Sequence, residues 1–252
     1  MSLRPLPAFL LTLALALPAQ AEEVFQVSAL SGLLAGAYDG TSTIDTVLGH
    51  GDFGLGTFDR LDGEMVVIDG QVFRAVPGGP ANPVSGATLT PFAVVTAFHP
   101  QQVLDLAAGQ SYAQLQATLD ALPFSPSRIL AVRVDGHFRS MEVRSEPPQT
   151  PPYRPLAEVL KAQQIGVTLE DTDGSLIGFR FPPTASSVNV PGWHFHFISA
   201  DRTRGGHVFD LTTGTTRASV EELSELRILF PARAPAGAIS DAASINAAEK
   251  PH

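Results

Sequence analysis

The sequence predicts an α+β protein dominated by β-strand, and three observations predict it. Short apolar runs of four to seven residues are punctuated by Asp-Gly pairs, a strong short-range hairpin signal. Amphipathic patterns long enough for helices are few and short. The stretch 146–155 holds five prolines, at 147, 148, 151, 152 and 155, and reads as a stiff connector between an N-terminal and a C-terminal part.

Taken in order, residues 28–34 read as a Ser-capped helix ending at the turn Tyr38-Asp39-Gly40, and 44–48 as a second helix stopped by Gly49 and Gly51. Strands are expected at 56–58, 64–68 and 72–75, around Asp62-Gly63 and Asp69-Gly70, and again at 92–98. The closely spaced glycines of 51–56 are not followed by a helix pattern. They are therefore read as turns and a bulge, not as a dinucleotide fingerprint. Ser111 and Gln114 form a capping box opening a helix with Leu115, Leu119 and Leu122 on one face. A hairpin around Asp135-Gly136 is expected to join strands 129–134 and 138–144. Pro155 suits the first turn of a helix over 156–163. Strands are expected at 175–181, 193–199 and 207–211, with 223–229 a last strand or a helix end. Residues 232–252, rich in Ala and Pro, read as a loose tail.

Composition narrows the function. The chain has 252 residues, 44% hydrophobic and 16% charged, which suits a folded core and argues against disorder. Its net charge of −9 argues against bulk nucleic-acid binding, so any anionic partner needs a local cationic site. With no cysteine there can be no disulfide, thiolate zinc site or iron–sulfur cluster, and a metal would rest on His and carboxylates. Residues 1–21 carry one positive charge, Arg4, then an apolar run over 8–17, Pro18 and the small–x–small Ala19-Gln20-Ala21. That is the pattern of an export signal peptide cleaved near Ala21; the run is too short to span a bilayer, which takes about 20 residues. No other stretch is long and apolar enough to span, so no membrane association is expected after cleavage. The domains expected are thus 22–148 and 149–231, followed by the tail 232–252.

Three of the seven histidines fall in Gly192-Trp193-His194-Phe195-His196-Phe197 and Gly205-Gly206-His207. Residues i and i+2 of a strand share a face, so His194 and His196 project together while the phenylalanines project away. If the hairpin closes on an even-length loop over 200–203, His207 falls opposite His196, with Cβ atoms roughly 5 Å apart. Three imidazoles there could hold one metal ion with a coordination position left open. The plainer alternative is two surface histidines on an amphipathic strand and an unrelated third. A cupin-type site would want a Glu shortly after the His-x-His, where only Asp201 stands.

At this point the sequence resembles the acetolactate decarboxylase family. The strings that carry the resemblance run in order from about Phe25 to Phe230. They are Leu33-Leu34-Ala35-Gly36-Ala37-Tyr38-Asp39-Gly40, then Gly51-Asp52-Phe53-Gly54-Leu55-Gly56-Thr57-Phe58 and Leu61-Asp62-Gly63-Glu64. Thr90-Pro91-Phe92, Val143-Arg144-Ser145 and Pro152-Tyr153 with Pro155-Leu156-Ala157-Glu158-Val159 follow, then the two histidine strings, extended to Ile198 and to Val208-Phe209-Asp210. The resemblance implies conversion of 2-acetolactate to CO2 and (R)-acetoin with a bound zinc ion, with His194, His196 and His207 as zinc ligands and Glu64 and Arg144 as the acidic and basic residues of the active site. A C-terminal Glu also reaches the site in the family; Glu249 matches best, with Glu222 and Glu225 as alternatives. It further implies an N-terminal mixed sheet continued across a homodimer and a C-terminal antiparallel β-barrel.

The chemistry suits these residue types. Loss of CO2 from a 2-hydroxy-3-oxo acid leaves an electron pair that delocalises into the ketone as an enediolate, whose charge a Lewis-acidic zinc would stabilise. Arg144 would pair the substrate carboxylate, and Glu64, with Glu249 sharing the task or binding the metal, would protonate one face. By position alone, Glu64 after an Asp-Gly and Arg144 among charged neighbours would both be read as solvated surface groups. Two other functions fit the histidines: a metal-dependent decarboxylase or isomerase of a related 2-hydroxy-3-oxo acid, or a non-catalytic periplasmic zinc-binding protein. Glu64 and Arg144 favour an enzyme, because metal storage needs neither.

Overall fold

The computed structural model describes residues 22–231 other than 77 and 187. Its strands are β1 (Glu23–Val27), β2 (Ser42–Thr43), β3 (Phe53–Thr57), β4 (Glu64–Ile68), β5 (Gln71–Ala75), β6 (Asn82–Pro83), β7 (Leu89–Thr90), β8 (Ala93–Thr96), β9 (Gln102–Leu106), β10 (Ile129–Ser145), β11 (Ile165–Phe181), β12 (Gly192–Ser199), β13 (Gly205–Leu223) and β14 (Glu225–Leu229). Four helices accompany them: α1 (Leu30–Leu34), α2 (Ile44–Leu48), α3 (Tyr112–Asp120) and α4 (Leu156–Gln163). Helices α2 and α4 have the expected bounds, and α3 opens on the expected capping box of Ser111 and Gln114. No helix among the described residues is long and apolar enough to cross a membrane.

Two main sheets carry the fold. The first has seven strands in the order β14-β1-β8-β3-β4-β5-β6, antiparallel throughout except that β14 runs parallel to β1. It is therefore mixed, as expected. Its strands bury both faces: Val66 and Ile68 join the core between the sheets, while Met65 and Val67 join a separate cluster with Ile44 and Val47 of α2. That is why residues 64–68 read as a continuous apolar run and not as an alternating one.

The second sheet has the order β10-β11-β12-β13-β9, with β10 also paired to β13. One side of β10 places Ile129 and Ala131 in the core between the sheets. The other places Leu130, Val132 and Val134 with Trp193, Phe195, Phe197 and the α3 leucines Leu115 and Leu119.

Three expectations give way here. Asp135-Gly136 does not close a hairpin, because both halves of β10 pair with the same neighbours, β11 and β13, and the strand runs on for 17 residues. Gly136 (φ +138°) instead sits where the ladder to β13 slips, with the Thr215 carbonyl oxygen lying where a Cβ would be. The contrast is Asp69-Gly70, where both residues have positive φ and a tight two-residue turn does join β4 to β5. Second, Gly54, expected at a turn or bulge, lies inside β3, which begins three residues before the strand expected from Gly56. Third, the two sheets do not divide at the proline-rich stretch: β9 and β10 precede it yet belong to the second sheet, and β14 follows it yet returns to the edge of the first.

Candidate active site

The histidines converge where the two sheets face each other. Strand β12 alternates as expected: Trp193, Phe195 and Phe197 enter the core under α3, and His194 and His196 turn towards the first sheet. Phe195 stacks on Trp193 with ring centroids 5.4 Å apart and meets Tyr112 edge-on. The β12–β13 register pairs His196 with His207, the register that an even-length loop requires. Ring centroids of the three histidines lie 4.9–5.5 Å apart. One ligand atom from each can be chosen so that all lie within 4.8 Å of one another.

Burial fixes the protonation of this cluster. His196 and His207 are 1% and 4% exposed and His194 is 9% exposed. Burial, followed by the positive charge of Arg144, pushes the His194 imidazole down to about 3. His207 is held well below its usual value for the same two reasons in the same order, with smaller effects from the other two imidazoles. His196 is also held well below, by burial first and by His194 next, against an opposing hydrogen bond to the Met65 carbonyl. All three are neutral near pH 7, the form in which imidazole offers a lone pair.

The hydrogen bonds orient those lone pairs. His196 Nδ1 lies 2.7 Å from the Met65 carbonyl oxygen. A carbonyl only accepts, so Nδ1 carries the proton and Nε2 presents its lone pair. That Nε2 faces Glu64 Oε2 at 3.3 Å. An imidazole lone pair and a carboxylate oxygen repel at this distance unless a proton or a cation lies between them. His194 Nε2 and His207 Nδ1 are 3.0 Å apart. Two nitrogens bound tetrahedrally at roughly 2.0–2.1 Å from a zinc ion stand about 3.4 Å apart, so a shift of a few tenths of an ångström would suit both. The donor set therefore fits zinc: three neutral imidazoles, one oriented by a backbone carbonyl, with a carboxylate beside them.

A small cavity opens over the cluster. Glu64 enters it from the start of β4 and Arg144 from the end of β10, so both residues expected at the site line the same space as the histidines. Arg144, expected on residue type alone to be solvated, is 5% exposed and stands directly opposite His207 in the β10–β13 ladder. Its Nη1 donates to Gln164 Oε1 at 3.1 Å. Thr57 and Gly56 contribute from β3, and an apolar wall comes from Leu30, Leu33 and Leu34 of α1 with Leu156 and Leu160 of α4.

Two of these contributions escaped the sequence reading. Glu146 lines the cavity and is 2% exposed, although it opens the proline-rich stretch that reads as a connector. The available signal was its spacing: once Arg144 faces inward, the residue two along an extended chain does too. The apolar wall was legible as two short helices but not as a wall, because nothing local places α1 against α4. Of the alternatives for the tail carboxylate, the Glu222 carboxylate accepts from the Ser125 backbone N–H at 2.6 Å, and Glu225 begins β14; neither lines the cavity. Glu249 lies outside the described residues.

Over residues 24–236 the chain matches the family described as alpha-acetolactate decarboxylase. It is 40% identical over 209 residues to the alpha-acetolactate decarboxylase of Methanosarcina mazei, an alignment covering 83% of this chain and 72% of that one. Identity to the Klebsiella aerogenes alpha-acetolactate decarboxylase is also 40% over 209 residues, covering 83% and 80%. The crystal structure of alpha-acetolactate decarboxylase from Bacillus subtilis strain 168 superimposes with a TM-score of 0.88 at 29% identity, covering 91% of this chain and all of that one.

Proposed function

The chain belongs to the alpha-acetolactate decarboxylase family and is a decarboxylating lyase, and from that premise we propose that it converts 2-acetolactate to (R)-acetoin and CO2 with a zinc ion held by His194, His196 and His207. One observation carries the metal part of the reading. Three buried neutral imidazoles converge at the floor of a cavity whose other charged groups include a carboxylate and a guanidinium. A zinc ion bound there supplies Lewis acidity towards the oxygens on which negative charge develops as CO2 leaves.

The chain's own residues do the rest. Arg144 binds the substrate carboxylate and orients the breaking C–C bond, its guanidinium steadied by Gln164. The leucines of α1 and α4 exclude water from the alkyl side of the substrate, which strengthens the charge interactions at the polar side. Glu64, held over the cluster beside His196, delivers a proton to one face of the enediolate carbon and so sets the handedness of the product. Glu249, in the tail, shares that task or adds a ligand.

Assembly and address belong to the same proposal. The pairing of β10 with both β11 and β13 supports reading the second sheet as the family's barrel. The first sheet ends in β14 and β6, either of which offers an edge for continuation across a homodimer. Residues 1–21 direct export, to the periplasm or the medium.

A His194→Ala variant tests the ligand assignment. Wild-type protein should hold about one zinc per chain by atomic absorption, and the variant should lose most of it together with acetoin formation. Unchanged metal content in a folded variant would show that the histidines are not the ligands.

A further inference from the structure

We propose that Glu146 is a positioning and specificity residue for the carboxylate clamp: its buried side chain tempers the hold of Arg144 on carboxylates, so that simple acids bind weakly and Arg144 keeps a counter-charge once the substrate's own carboxylate has left as CO2. The inference rests on Arg144 being the group that takes the substrate carboxylate.

Glu146 is 2% exposed and lines the same cavity as Arg144, Glu64 and the three histidines, yet the chemistry above gives it no task. Its placement is built. Ser145, between it and Arg144, points the other way and donates through Oγ to the Ala75 carbonyl at 2.9 Å. Immediately beyond, the Gln149 backbone N–H donates to the Arg60 carbonyl at 2.7 Å, and the Gln149 side chain donates to the Pro147 carbonyl and to Gln163 Oε1, each at 2.7 Å. With the chain pinned on both sides just past the end of β10, Arg144 and Glu146 both face the cavity, their backbones about 6–7 Å apart along an extended chain. The carboxylate is felt inside the fold, since it is one of the charges that push the Tyr38 phenol upward, after burial. The partner on the other side of Arg144 is neutral, the Gln164 amide.

The consequence follows from charge alone. A monoanion arriving at Arg144 comes close to Glu146 in surroundings that screen poorly, and is repelled by it. A small acid has only its carboxylate to offset that repulsion. The substrate has hydroxyl and ketone oxygens as well, so the penalty discriminates in its favour. When CO2 departs the product is neutral, and Glu146 remains to balance Arg144.

The test is calorimetric binding of 2-hydroxy-2-methylpropanoate, which cannot lose CO2 in this way, to metal-loaded and to metal-stripped protein. Glu146→Gln should lower its Kd about tenfold in both forms, and Glu146→Asp should restore the wild-type value. A merely structural role would weaken binding or leave it alone. Unchanged or weaker binding to folded Glu146→Gln would therefore overturn the inference. Should that variant not fold, Glu146→Leu removes the charge within an apolar wall and carries the same expectation. Arg144→Gln separates the two levels. If it abolishes binding while Glu146→Gln changes nothing, only the role of Glu146 fails. If Arg144→Gln leaves binding intact, the clamp itself is misassigned and the inference fails with it.

Discussion

His196 is constrained at both ring nitrogens, by the Met65 carbonyl at Nδ1 and by Glu64 facing Nε2, so its lone pair has one direction left to use. The histidine pair was legible because strand alternation and an even loop length are local rules. Glu146 and the inward turn of Arg144 were not, because a charged residue beside prolines carries no local sign of burial. A second buried carboxylate makes the same point. Glu221 is 3% exposed, receives the His99 backbone N–H at 3.0 Å, and is raised to about 7, by burial first and then by Glu22 and Asp52, with the His99 hydrogen bond opposing. A carboxyl raised from 4.5 to about 7 holds its proton more tightly in the folded chain than in the unfolded one. Its stabilising effect is thus fully present below about pH 4.5 and is lost as pH rises to about 7. Glu221→Gln should remove this loss, making the variant more stable than wild type at pH 8 by on the order of 1–3 kcal/mol and little different at pH 4.5. Urea unfolding at the two pH values checks it; equal stability at pH 8 would show that Glu221 is already charged in the folded state below neutrality.

At the scale of elements, β12 presents its histidines only because its opposite face is locked. Phe195, between them, lies across Gly178 of β11, its register partner, and a Cβ there would fall on the Phe195 ring. The ring cannot slide away, being stacked on Trp193 and met edge-on by Tyr112. Gly178→Ala should therefore cost about 1–3 kcal/mol by overpacking and loosen the histidine geometry, lowering zinc affinity as well. Thermal melts and metal titration would read both effects; an unchanged melt would mean that the strand has slack which the packing does not suggest. The starts of α3 and α4 were legible from the capping box at Ser111 and from Pro155, whereas α1 begins at Leu30 after Ala29, without the expected Ser28 cap. The Asp135-Gly136 pair was misread because Asp-Gly specifies a local backbone shape, whereas whether the chain reverses there depends on which strands flank it. Long strands such as β10 are decided by partners far away in sequence.

Over the whole molecule, the site belongs to neither sheet alone. The second sheet brings the histidines and Arg144, and β3 and β4 of the first bring Thr57 and Glu64. β14 ties the two together, since it follows β13 of the second sheet directly and then pairs in parallel with β1 of the first. No local pattern announces such a return, which is why the proline-rich stretch looked like the natural division. In an acidic chain, at −9, an anionic substrate would need a local cationic site, and since the three imidazoles are neutral and Glu64 and Glu146 face Arg144 in the cavity, a divalent ion on the histidines would have to supply the balance. The central claim is that this interface, loaded with zinc, removes CO2 from 2-acetolactate, and the most direct measurement is CO2 and acetoin release by the purified chain, first zinc-loaded, then chelated, then reloaded. The account predicts release of both in equal amounts, loss on chelation and recovery on reloading. A folded, zinc-replete protein that leaves 2-acetolactate intact would contradict it.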